Sequence, residues 1–217
     1  TDEDGIPAAA RAAAAAGQLS APGPTRMLDA LRLVFHEPDP AAVLERLADW
    51  GALDGIEPGL GADAAAVRAA WALLGVAPDA DPEALGLGLL VGGLAPERRR
   101  AWLGAGGAER GVLRAALAVA DAGALRDAVR GRGDGEVDAA CARVPVEAVV
   151  AAGGDEARRH LERLRHVRLA VDGDDVRRVT SAEGPAIGRA LADLRAAVLD
   201  GQVAGEREAQ LAWLEGR

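Results

Sequence analysis

The sequence reads as an all-α protein, an elongated array of about ten to twelve short helices, within the length range usual for globular proteins. Three observations carry that reading. Good helix formers (alanine, leucine, arginine, glutamate) dominate, and strand-favouring aromatics are sparse: four tryptophans, one phenylalanine and no tyrosine. Proline recurs where a first helical turn would hold it, at Asp39-Pro40, Asp81-Pro82, Ala95-Pro96, Val144-Pro145 and Gly184-Pro185. There its missing N–H goes unneeded and its fixed φ already suits a helix. Finally, no segment alternates apolar and polar residues convincingly; residues 167–171 are the best strand candidate and stand too isolated to build a sheet.

The elements follow in order. From Pro40, the residues Val43, Leu44, Leu47 and Trp50 share one helical face, and Gly51 stops that helix. Residues 63–74 repeat the pattern with Val67, Trp71 and Leu74. Asp39 and Asp81 are placed to cap orphan N–H groups. Residues 104–107 and 131–135 are glycine-rich and read as loops or hinges. Over residues 155–169, Asp155 and Glu156 in the first turn and arginines near the end match the helix dipole. Residues 172–175 read as a turn with a helix starting at Asp174 or Asp175. Pro185 opens a long helix with Ile187, Leu191, Leu194 and Val198 on one stripe, ending at Gly201. A last helix runs from about Glu206 to Leu214, with Leu211 and Leu214 on its apolar side.

Composition narrows the function classes. Cys141 is the single cysteine, so no internal disulfide can form, which suits a cytoplasmic protein. No apolar run approaches the roughly 20 residues that span a bilayer. Thr1-Asp2-Glu3-Asp4 is acidic where a secretory leader is basic, and Thr1 is no initiator methionine, so the chain reads as cut from a longer one or processed. The net charge of −9 argues against broad nonspecific binding to nucleic acid. There is no lysine, which excludes a Walker A phosphate loop at Gly59-Leu60-Gly61 or at residues 104–107.

No catalytic or metal-binding constellation emerges. The carboxylates Asp39, Asp79, Asp81 and Asp172, Asp174, Asp175 are better explained as caps and turns than as Mg²⁺ ligands. His36, His160 and His166 lack metal-ligand spacing. Cys141 reads as a small buried apolar residue. The basic residues say more. Arg158, Arg159, Arg163, Arg165 and Arg168 lie on or near one helix, and Arg98, Arg99 and Arg100 form a second group. Pairs such as 159 and 163, or 165 and 168, can share a face and approach a phosphate backbone. The competing reading is a solvated face with local pairs to Asp155, Glu156 and Glu162.

Residues 44–60, 161–176 and 184–199 are three ordered stretches that together resemble the region following the catalytic head in bacterial CCA-adding tRNA nucleotidyltransferases and related poly(A) polymerases. Residues 44–60, LERLADWGALDGIEPGL, are similar to that family's Leu-x-x-Leu-x-x-x-Gly-x-Leu-x-x-Ile-x-Pro-x-Leu passage, and residues 25–35, TRMLDALRLVF, resemble the end of its neck helix. Residues 161–176, LERLRHVRLAVDGDDV, resemble a passage leading into a Gly-Asp-Asp-Leu turn. Residues 184–199, GPAIGRALADLRAAVL, followed by Glu206-Arg207-Glu208, resemble its usual ending. Residues 75–135 match only in being helical.

The resemblance implies a neck-like helical segment over residues 1–60 and a body and tail over 61–217. It implies the noncatalytic, tRNA-binding part of an enzyme that adds CCA to tRNA 3′ ends, gripping the acceptor arm and elbow by shape and phosphates. Mg²⁺, ATP and CTP would be held by an absent head. The head's Asp-x-Asp metal pair and the neck's Glu-Asp-x-x-Arg are not in this sequence; Glu3-Asp4 is followed by Pro7, not arginine. No catalytic residue is carried over. The eight arginines named above are the expected RNA contacts, and neither a membrane nor DNA is expected as a partner. Two other readings stand beside this one: a poly(A) polymerase or partial CCA-adding relative, and a stand-alone helical scaffold that binds protein.

Overall fold

The computed structural model describes residues 5–216, with no side-chain description at 5, 6 and 20; the acidic stretch 1–4 lies outside the described residues. It is about 70% helical, with fifteen α-helices and no strand among the described residues. The all-α expectation holds, with a few more helices than the sequence suggested. The strand candidate at 167–171 is irregular chain. No helix among the described residues is long and apolar enough to cross a membrane.

The chain divides into two compact units, 1–125 with 145–153, and 126–144 with 154–217. The first contains α1 (Gly5–Ala15), α2 (Pro24–Val34), α3 (Pro40–Asp49), α4 (Ala52–Ile56), α5 (Ala64–Leu74), α6 (Pro82–Val91), α7 (Pro96–Ala105), α8 (Arg110–Ala120) and, after an excursion, α11 (Val146–Ala152). The helix α9 (Ala122–Val129) carries the chain into the second unit, which holds α10 (Asp134–Cys141), α12 (Gly154–Glu162), α13 (Gly173–Thr180), α14 (Pro185–Leu199) and α15 (Arg207–Glu215).

The proline starts occur as read at Pro40, Pro82, Pro96 and Pro185. Pro145 differs: it is the N-cap of α11, and the helix begins at Val146. Asp39, Asp63 and Asp81 each accept a backbone N–H of the first turn, from Ala42, Ala65 and Glu83 at 2.9–3.0 Å. Gly51 stops α3 in the left-handed region, φ 70°, where a side chain would be strained.

In the first unit, α6 is apolar on every side beyond Glu83 in its first turn and sits at the centre, packed by α8, α11 and α5. Two glycines permit this. A Cβ on Gly88 would come 2.3 Å from Val119 Cβ of α8, and one on Gly86 would come 2.2 Å from Phe35. Leu28, Leu31, Phe35, Leu44, Leu53, Val67, Leu87, Leu90 and Leu103 complete this core. In α5 the buried line is Val67, Ala70 and Leu73; Trp71 and Leu74 are only half-buried. Glu147 of α11, itself buried, accepts the Asp81 N–H at 2.9 Å.

The second unit centres on Val171, Val176, Leu194, Ala197, Val203 and Leu214. Gly135 belongs to α10 rather than to a loop. It lies against α14, where a Cβ would come 2.8 Å from that of Ala196. Its N–H donates to Asp200 at 2.8 Å. The helix α13 starts one residue earlier than read, at Gly173, because Asp172 forms a capping box with Asp175. Asp175 is buried and pairs with Arg207 at 2.5 Å, which holds its carboxyl below the usual range. Gln210 is fully buried in α15, accepting from Ala170 N–H and donating to Gly205 C=O, both at 2.9 Å.

Candidate nucleic-acid interface

The helix expected over 155–169 stops at Glu162. A short 3₁₀ turn, Leu164–His166, follows, and the chain leaves it through an extended Val167 into irregular chain. Arg195 of α14 holds this change of direction. Its Nη1 donates to Val167 C=O at 2.6 Å and its Nη2 to Leu164 C=O at 2.8 Å. The guanidinium is fixed by Asp138 of α10, with Nε to Oδ2 at 2.5 Å and Nη2 to Oδ1 at 3.0 Å. That fork geometry matches a carboxylate bidentately. Beside it lies buried His160, Nδ1 3.4 Å from Asp138 Oδ1. Burial pushes the His160 pKa below its ordinary value; Asp138 opposes this, while Arg165, Arg195 and His166 add to it.

The five arginines of this region are presented from that support. Arg159 and Arg163 do share a face, and both reach Asp134 in the first turn of α10. Arg159 Nε lies 2.8 Å from Asp134 Oδ1 as an ion pair without hydrogen-bond alignment, while its Nη2 donates to Arg132 C=O at 3.3 Å. Arg158 pairs with Glu162 at 3.0 Å, one turn along. Arg165 Nε donates back to Leu161 C=O at 3.1 Å, and Arg168 Nη1 donates to Arg165 C=O at 3.3 Å. Arg168 is exposed, with no carboxylate partner among the described residues. Exposed pairs such as Arg158–Glu162 contribute about 0–1 kcal/mol, so a phosphate can replace the carboxylate at little cost.

Arg98, Arg99 and Arg100 have three different surroundings, since successive helical residues point about 100° apart. Arg98 pairs with Glu57. Arg99 is a clamp: it donates to Leu94 and Gly92 carbonyls, both at 2.7 Å, and to Asp121 at 2.6 Å, with its side chain 13% exposed. Arg100 is exposed and has no partner among the described residues.

Asp39, Asp81 and Asp172 act as caps. Among the described residues, no group of three or more His, Cys, Asp or Glu side chains is placed to hold a metal ion. Cys141 is buried, and desolvation, helped by Asp138, pushes its thiol up to about 11, so it stays a protonated thiol rather than a nucleophile. His36 and His166 are exposed on separate elements. Sequence reasoning missed Arg195, and it missed Arg110 and Arg114. Single arginines inside amphipathic patterns carry no signal of which will be buried as clamps and which will face water.

No protein-family model matches the chain, and no curated protein matches it. Solved structures do. A tRNA-processing enzyme with CTP matches at TM-score 0.64 and 17% identity, over 88% of this chain and 55% of that one. The apo form I of a tRNA-processing enzyme matches at TM-score 0.63 and 17% identity, over 88% and 52%. A tRNA-processing enzyme complex matches at TM-score 0.62 and 18% identity, over 87% and 55%. At such identities the likeness is one of fold, and the chain spans about half the length of the solved structures it matches.

Proposed function

We propose that this chain is the tRNA-holding, noncatalytic region of a nucleotidyltransferase that adds CCA to tRNA 3′ ends. In this reading residues 1–60 form the neck-like part, and residues 61–217 the body and tail. Mg²⁺, ATP and CTP are handled by residues outside this chain. The observation that carries the reading is the fold likeness to tRNA-processing enzymes, one of them with CTP, over 87–88% of the chain.

The arginine arrangement suits that role. A shallow, A-form duplex surface is recognised mainly through phosphates and 2′-hydroxyls, which needs positioned guanidinium groups rather than a base-reading helix. Arg158, Arg159, Arg163, Arg165 and Arg168 stand around a turn anchored by the Arg195–Asp138 pair. Arg98 and Arg100 lie on another helix, with Arg99 between them as support.

The test is binding of the chain to a tRNA lacking its CCA end, against an unrelated hairpin RNA, over a salt series. Selective, salt-sensitive binding of the tRNA is expected. Equal affinity for both RNAs at every salt concentration would sink the tRNA assignment and favour a protein-binding scaffold.

A further inference from the structure

We propose that the first unit carries a phosphate-gripping stripe of its own, formed by Arg110 and Arg114 of α8 with Arg100 of α7, which takes the backbone of a structured RNA. The inference rests on the RNA-binding reading above and extends it from Arg100 onto α8, a helix that reading does not use.

Three observations place the stripe. Arg110 and Arg114 are one helical turn apart on α8, both exposed, and neither has a hydrogen-bond or ion-pair partner among the described residues. Positions 110, 114, 117 and 121 follow the three- and four-residue spacing of one helix face. Arg100 lines a surface cleft together with Leu117 and Asp121, the next two positions of that face. The third free guanidinium therefore continues the line begun by the other two.

Charge supports the same conclusion. No acidic residue occurs between 110 and 120. Asp121, at the far end, is paired to Arg99. Glu97 also lines the cleft, and Glu109 precedes Arg110 as the α8 N-cap; both are exposed. On a chain of net charge −9, three unpaired arginines in a row are a local reversal of sign. Guanidinium groups at this spacing suit successive phosphates of one strand and carry no base-reading geometry.

The experiment measures affinity of the 217-residue chain for tRNA and for an unrelated hairpin RNA between low and moderate salt. It compares the unchanged protein with Arg100→Gln/Arg110→Gln/Arg114→Gln and with the triple lysine variant. Circular dichroism confirms that each folds. The glutamine variant is expected to reduce the slope of log affinity against log salt by about two to three, for both RNAs, with the lysine variant largely retaining it. An unchanged slope in the glutamine variant overturns the stripe, as does an unchanged protein that binds neither RNA at low salt. The tRNA reading is judged separately, by the ratio of the two affinities in the unchanged protein. A stripe effect on both RNAs without tRNA preference would keep this inference and remove that one.

Discussion

Arg195 and Asp138 form a bidentate ion pair 57 residues apart in sequence, and the same guanidinium holds the carbonyls of Leu164 and Val167. One side chain thus joins α10 and α14 and fixes the turn after α12. Removing one partner of such a pair leaves a buried charge without compensation. Asp138→Asn is expected to destabilise the protein by about 3–5 kcal/mol, and the double variant Asp138→Leu/Arg195→Met by clearly less. Denaturant midpoints of the three proteins test this; equal losses in single and double variants would refute it.

Arg99 and Arg100 are adjacent and should separate cleanly. Arg99→Gln leaves the Leu94 and Gly92 carbonyls short of a donor and is expected to cost about 1–3 kcal/mol. Arg100→Gln should be neutral to stability while weakening RNA binding. Thermal denaturation and a binding titration, run on both variants, check the crossover.

Glycine substitutions discriminate two surroundings. Gly188 lies in α14 with nothing within 4 Å of where an added methyl would stand, so Gly188→Ala is expected to stabilise by about 0.5–1 kcal/mol through helix propensity. Gly135 is also helical, but its Cβ would stand 2.8 Å from Ala196 Cβ and 2.9 Å from Asp200 Oδ2. Overpacking of this kind costs about 1–3 kcal/mol, so Gly135→Ala should lower the melting temperature despite the same gain in propensity.

His160 sets a pH dependence. Its folded pKa is depressed by burial, so the unfolded chain takes up the proton first as pH falls. The stability it contributes is complete above the unfolded value of about 6.5 and is lost as pH falls through the folded value. Denaturant midpoints should drop between pH 8 and pH 5.5, and His160→Gln should flatten that drop. A parallel fall in both proteins would mean that other groups govern it.

How much of this was legible in the sequence varies with the physics involved. Helix starts at Pro40, Pro82, Pro96 and Pro185 were readable because caps and first-turn prolines act within four residues. The three stretches of resemblance pointed to enzymes that act on tRNA, and solved structures of tRNA-processing enzymes share the fold. Gly135 was misread as loop because glycine favours turns locally, while its role is set by α14, far away in sequence. The burial of Gln210 was invisible, since its partners, Ala170 and Gly205, follow from tertiary packing alone. The arginines show the same limit: Arg98, Arg99 and Arg100 look alike in sequence, and only the neighbours that face each one distinguish a clamp from a free cation.

The return of α11 to the first unit bears on how the protein emerges from the ribosome. The helix Val146–Ala152 packs on α5, α6 and α8, yet it is translated only after residues 126–144, which belong to the other unit. The innermost face of α6 therefore stays uncovered while that intervening segment is being made. Synthesis must pass Ala152 before the first core can close, so a nascent chain stalled shortly before that point should be a preferred client of chaperones that hold apolar surface.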